Sequence, residues 1–170
     1  MHLNSIKIQF SNFRFQALDL IVLLFILPVI EARSAVGTAI ANGNWSSASV
    51  WSFNRVPACS DTVTIPTGIT VTVGNQNDYS SCTNLLKIIV NGTFQFTNGN
   101  KIKLPCNSTV GVSSGGLIKK SGSGGGNSTF IEICGNIEWR AGDGNLCGPV
   151  TLGGNSLPGS LVSFKAEPTN

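Results

Sequence analysis

An alternating apolar strand, a glycine turn and a second alternating strand recur along this chain at nearly constant spacing. Taking Val63/Ile65, Leu86/Ile88/Val90, Val110/Val112 and Ile131/Ile133 as equivalent, the steps from Ile65 to Ile88, Val112 and Ile133 are 23, 24 and 21 residues. The companion strands Ile69/Val71/Val73, Phe94/Phe96, Leu117 and Ile137/Trp139 give steps of 23, 23 and 20 between Val71, Phe94, Leu117 and Ile137. A fixed period of this size marks a solenoid, because one coil cannot bury its apolar face alone and must stack on a neighbour. The expected fold is all-β, a parallel β-helix of about four coils over residues 62–156. Asn91-Gly92 and Asn98-Gly99 keep a β-sandwich open as the alternative, since Asn-Gly favours two-residue antiparallel hairpins. The solenoid is preferred because the apolar positions repeat from coil to coil, and the Ser/Gly-rich stretch 121–128 fits a loop on one face.

The segment before the repeats divides in two. Lys7 and Arg14 precede an apolar run of eleven residues, Leu20 to Ile30, followed by Glu31-Ala32-Arg33-Ser34-Ala35. A basic lead, a short apolar core and small residues after it describe a secretory signal peptide over residues 1–35, cleaved after Ser34 or Ala35. The run is too short to span a bilayer, and Asp19, Pro28 and Glu31 interrupt or flank it, so no membrane span is expected after cleavage. Residues 36–61 show little periodicity but carry Trp45 and Trp51. An open solenoid end exposes strand edge and core, so this segment is the expected N-terminal cap with the tryptophans as its core.

Without the leader the chain holds eight basic and six acidic residues, scattered rather than gathered on one stretch. This pattern excludes a typical nucleic-acid binder. Five cysteines, Cys59, Cys82, Cys106, Cys134 and Cys147, suit an exported protein that keeps disulfides. Cys59 with Cys82 spans one coil length and Cys134 with Cys147 closes a short loop, which are the expected bridges, leaving Cys106 unpaired. The one histidine, His2, is lost with the leader, so neither a zinc cluster nor a Ser/Cys–His nucleophile is expected, and no cofactor.

Candidate chemistry is sparse. Glu132 and Glu138 are the best pair for the two carboxylates a glycosidase needs, each alternating with apolar neighbours and so pointing outward. Lys119 and Lys120 could share that face, as a polysaccharide lyase would require. Asp143 and Asn145 offer two oxygens in an Asp-Gly turn, fewer than calcium needs. Trp45 and Trp51 are the candidates for stacking on sugar, weighed against packing in the cap, whereas Trp139 falls on the inward phase. Asn44, Asn91, Asn107 and Asn127 stand in Asn-x-Ser/Thr sequons, which accept glycans in a eukaryotic secretory pathway.

Two stretches carry a family resemblance. Gly43-Asn44-Trp45, Trp51, Val56-Pro57, Asp61, Val63, Ile65-Pro66, Gly68 and Val71-Thr72-Val73 resemble a module of large secreted proteins of Bacteroidetes-type bacteria, similar also to the eight-glycine domain of eukaryotic surface proteins. That resemblance implies a right-handed parallel β-helix. Leu157-Pro158-Gly159-Ser160-Leu161-Val162-Ser163-Phe164-Lys165-Ala166 is similar to the opening of a module that precedes a type IX secretion sorting domain. It implies that residues 157–170 begin a truncated C-terminal module or linker, with further domains of a longer polypeptide beyond. Asp61-Thr62-Val63 resembles the short O-glycosylation signal of the same bacteria. The expected function is a non-catalytic secreted or cell-surface module for adhesion or carbohydrate contact. Its partner would be an extracellular polysaccharide or cell-surface glycan. A truncated polysaccharide lyase or glycoside hydrolase domain and a structural spacer remain the alternatives.

Overall fold

Each full turn of the chain contributes three short strands, one more than the sequence pattern shows. The structure is a computed structural model that describes residues 34–124 and 126–154. The leader, save its last two residues, and the 157–170 segment lie outside the described residues. In chain order the strands are β1 Val36–Thr38, β2 Gly43–Asn44, β3 Thr62–Ile65, β4 Thr70–Val73, β5 Asn77–Asp78, β6 Lys87–Val90 and β7 Thr93–Phe96. They continue as β8 Lys101–Leu104, β9 Thr109–Val112, β10 Leu117–Lys120, β11 Phe130–Ile133, β12 Asn136–Arg140, β13 Leu146–Cys147 and β14 Val150–Gly153.

These strands stack into three sheets that form the sides of a β-solenoid of about four turns. The first face runs β1-β3-β6-β9-β14, the second β2-β4-β7-β10-β13 and the third β5-β8-β11-β12. All forward pairings are parallel: β1–β3–β6–β9, β2–β4–β7–β10 and β5–β8–β11. The β-sandwich alternative is thereby set aside. Most four-residue strands alternate half-buried and buried positions, so one side of each fills the interior. Val63, Ile88, Val110 and Leu152 form one inward column, and Val71, Phe94, Ile118 and Leu146 another. The apolar positions thus satisfy one another from turn to turn, which is why the repeat period is visible in the sequence.

Three expectations are corrected by this geometry. Ile131/Ile133 belong to β11 on the third face, stacked on Ile102 and Leu104, and do not continue the Val63–Ile88–Val110 column. On the second face Phe94 opposes Ile118, not Leu117, and Ile118 is the fully buried residue. Ile137 and Trp139 lie on the third face, in a strand antiparallel to β11. The irregular steps of 21 and 20 residues were the trace of this change of face.

After β11 the chain reverses. Cys134 and Gly135 have φ of 54° and 79°, the positive pair a type I′ turn requires, and join β11 to β12 as a hairpin. The path then runs backwards around the solenoid. β12 pairs antiparallel to β11 on the third face, β13 to β10 on the second and β14 to β9 on the first. One counter-wound coil therefore closes all three sheets. At the opposite end the 36–61 segment is a coil in part, since β1 and β2 extend two sheets, and in part a lid. Residues 50–52 fold back antiparallel onto β1, with Ile40 N donating to Val50 O and Ser52 N to Thr38 O.

An aromatic column ties the two ends together. Trp51–Trp45, Trp45–Phe94, Phe94–Phe96 and Phe96–Trp139 have ring centroids 5.1, 5.4, 4.8 and 5.3 Å apart. Trp51 Nε1 donates to Trp45 O, and Trp45 Nε1 to the Tyr79 hydroxyl, so the indole N–H groups are satisfied inside the core.

The corner between the first and second faces explains Asn91-Gly92 without a hairpin. Gly92 N donates to Ile65 O of the preceding turn, and a Cβ at Gly92 would overlap the carbonyl oxygens of Pro66 and Ile69. Gly116 meets Val90 O and Gly148 meets Ser113 O in the same way. Glycine is needed here for the close approach of stacked backbones.

Candidate functional site

The corner between the third and first faces carries a ladder of cysteines, one per turn. Cys59, Cys82, Cys106 and Cys134 each follow or precede strands of these two faces, and consecutive members are bonded as Cys59–Cys82 and Cys106–Cys134. The expected Cys59–Cys82 bridge is present. The expected Cys134–Cys147 bridge is not: β8 and β11 are in register, so Cys134 lies one turn from Cys106, whereas Cys147 sits opposite Leu117 on the second face. Cys147 is free and exposed.

Trp45 and Trp51 are 0% and 1% exposed, so neither can present a ring to a sugar; they are the cap core. Trp139 is likewise core, with Nε1 donating to Gly144 O at 3.0 Å. That bond makes the Ala141–Asp143 turn a structural anchor, with Asp143 and Asn145 exposed. Among the described residues no group of three or more His, Cys, Asp or Glu gathers as metal ligands. Lys119 lies in β10 on the second face opposite Gln95, and Lys120 donates to Gly122 O at 2.7 Å, so neither joins Glu132 on the third face. Of the sequon asparagines, Asn107 and Asn127 are exposed. Asn44 Oδ1 accepts from Ser46 N, and Asn91 Oδ1 from Ser113 Oγ.

Glu132 and Glu138 are adjacent in the sheet but differently engaged. Lys103 Nζ lies 3.4 Å from Glu132 Oε1. The β11–β12 register skips Glu138, so that Glu132 stands opposite Ile137. This bulge turns Ile137 outward, where it is 36% exposed, against the inward position its alternation with Trp139 predicts. Glu138 lines a corner cleft of about 200 Å³ together with Asn107, Asn136, Gly153 and Gly154. Glu132 is not part of that lining, so the cleft presents one carboxylate rather than a glycosidase pair.

What the third face does gather is charge around a partly open ring. Lys101, Phe130 and Arg140 stand in one row across β8, β11 and β12, and Asp78, Lys103, Glu132 and Ile137 in the next. The Lys101 ammonium lies 5.1 Å from the Phe130 centroid. Hydrogen bonds from the Ser80 hydroxyl and N–H, with the nearby lysines, hold the Asp78 carboxyl below its ordinary value. Among the described residues, outward-facing strand carboxylates occur on this face alone, since the first and second faces present mostly Thr, with Lys87, Gln95 and Lys119 interspersed. The sequence pattern does not show this cluster because Lys101-Ile102-Lys103-Leu104 falls outside the two repeating strand columns.

The other strong electrostatic group is buried at the cap. Asp61, 0% exposed, accepts from Arg55 Nη1 at 2.6 Å and Nη2 at 2.8 Å, from Ala58 N at 2.8 Å and from Ala35 N at 3.1 Å. Burial pushes its carboxyl up, but the Arg55 fork and the two backbone N–H groups outweigh this and hold it below the ordinary value. The Asp61-Thr62-Val63 signal thus has its aspartate committed to the fold. Comparison with protein-family models, with curated proteins and with solved structures gives no match for this chain.

Proposed function

We propose that this chain is an exported, non-catalytic β-solenoid whose third face contacts an extracellular polysaccharide or cell-surface glycan. The observation that supports it is the row Lys101–Phe130–Arg140 beside Lys103–Glu132 on one rigid sheet face. A flat sheet is complementary to an extended sugar chain. Phe130 supplies an apolar ring for a pyranose face, and the flanking cations and carboxylate supply charge-assisted hydrogen bonds to hydroxyls. Two disulfides suit an oxidising compartment, in keeping with export.

The test is a glycan array and polysaccharide affinity electrophoresis on the wild type, F130A and the double variant K101A/R140A. Binding by the wild type that falls at least tenfold in both variants, with unchanged thermal unfolding, is the expected result. Binding insensitive to both variants, or none, refutes it and leaves a spacer. A second reading, a lyase or hydrolase domain, draws on the same mixed-charge face; release of unsaturated or reducing products in a degradation screen would establish it instead.

A further inference from the structure

We infer that the chain is cut between Ser34 and Ala35, and that the α-ammonium so created at Ala35 docks on the buried carboxylate of Asp61. Two independent observations meet at this bond. In sequence, a leader peptidase reads small residues one and three positions before the cut. Cleavage after Ser34 places Ser34 and Ala32 there, whereas cleavage after Ala35 would place Arg33 at the outer position. In the structure, Ala35 N is 3.1 Å from Asp61 Oδ1, and Ala35 O accepts from Thr62 N at 2.9 Å. Ala35 is therefore held on both sides of its peptide unit, in line with β1.

The chemistry balances as hydrolysis. Water adds across the Ser34–Ala35 amide under a leader peptidase of the secretory apparatus; Ser34 leaves with the new carboxylate, and Ala35 N becomes an ammonium by taking a proton. The bond broken contributes one existing contact, Ser34 Oγ to Ser60 O at 2.7 Å, which is lost. In exchange a neutral N–H donor at Asp61 becomes a charged one, adding a Coulombic attraction to a bond that the carboxylate already makes charge-assisted. The new terminus meets Asp61, and the charged and titratable groups that interact with Asp61 in turn are Arg55 and Tyr79. Arg55 already bonds both carboxylate oxygens, and the Tyr79 hydroxyl donates to Pro57 O. Asp61 is buried and Ala35 half-buried, so solvent screens the attraction between carboxylate and ammonium only in part. Export thus completes the cap: the ion pair at Asp61 is whole only in the processed protein.

The full chain is expressed with export, and the product is read by N-terminal sequencing and intact mass. A start at Ala35 is expected; a product that keeps Ser34 or begins beyond Ala35 overturns the inference. The same product is then compared with its form acetylated selectively at the α-amine, by urea unfolding between pH 6 and 10. A docked ammonium has its pKa raised above the ordinary value of about 8, so its contribution is full below pH 8 and is lost as pH rises through the folded value. Each unit of upward shift appears as a tenfold fall in the folding constant of the free-amine form relative to the acetylated one. Burial holds the Tyr79 phenol above its ordinary value of 10, so it stays protonated across this range in both forms. Parallel pH profiles for the two forms overturn the docking. These readouts do not involve glycan binding, so their failure leaves the proposed function standing, and the reverse also holds.

Discussion

Truncating Ile118 should cost far more stability than truncating Leu117 beside it. Ile118 is 0% exposed and stands in the second-face column between Phe94 and Leu146, so Ile118→Ala removes three carbons from a site enclosed by neighbouring turns. Buried Ile→Ala changes cost about 2–5 kcal/mol, the upper part applying where surroundings cannot collapse. A column of strands fixed by ladders on both sides collapses little, which places the expected loss at about 3–4 kcal/mol. Leu117 is half-buried on the outer side, opposite Thr93 and Cys147, and Leu117→Ala should cost about 1 kcal/mol or less. For a domain of this size 1 kcal/mol moves Tm by roughly 3–5 °C, so Ile118→Ala should lower Tm by about 10 °C or more and Leu117→Ala by a few degrees. Urea unfolding followed by circular dichroism, with thermal melts alongside, measures both. Equal losses, or the larger loss at Leu117, would mean that β10 is shifted by one residue, because a one-residue slip exchanges the two sides of a strand.

Four further outcomes follow from the same geometry. Arg55→Ala leaves the buried Asp61 carboxylate with backbone donors only; because Arg55 is 40% exposed, the loss should be about 2–3 kcal/mol in urea unfolding, at the lower side of the cost of a broken buried pair. The Asp61 carboxyl is held below its ordinary 3.8, so its contribution is full above that value and is lost as pH falls below about 4; Asp61→Asn should remove that acid limb from the unfolding profile, and an unchanged limb would refute the assignment. Cys106→Ser should cost about 3 kcal/mol, from the loop of 28 residues that the bridge closes, whereas Cys147→Ser should be neutral and alkylation without reduction should label Cys147 alone. Gly92→Ala forces a methyl onto two carbonyl oxygens of the preceding turn and should lower the folded yield sharply, while Gly99→Ala, open on all sides, should cost only the strain of its φ of 79°.

The fold was legible wherever one turn resembled the next, and illegible wherever the chain changed face. Val63, Ile88 and Val110 share a column and a spacing near 24, so the solenoid and the Cys59–Cys82 bridge could be read directly. The third face could not, because its first strand is the two polar residues Asn77–Asp78, with no alternation to detect. Without that face, Ile131/Ile133 match the first by spacing, and the pattern gives Cys106 no partner although Cys134 stands one turn away. Leu117 and Ile118 are both apolar, so the sequence pattern carried no signal for which of them faces inward. The reversal was hidden for a different reason: Cys134-Gly135 is an uncommon type I′ pair, and the bulge at Glu138 breaks the alternation that would have marked β12.

The counter-wound coil also constrains where function can reside. A solenoid whose last turn runs forward offers unpaired parallel edges to which further coils or other chains can add. Here β12, β13 and β14 cover the three forward edges with antiparallel strands, and residues 50–52 cover β1 at the other end. The forward winding stops at these strands, and the proposed reading places glycan contact on the sides. Of the three sides, the first two present mostly threonine, with scattered lysine and no strand carboxylate. The third combines Lys101, Lys103 and Arg140 with Glu132, Asp78 and the half-open Phe130 ring. These side chains are held by strands whose opposite sides, Ile102, Leu104, Ile131 and Trp139, are fixed in the core. Replacing the outer set should therefore change ligand contact while leaving the inner columns, and with them the unfolding transition, unaltered.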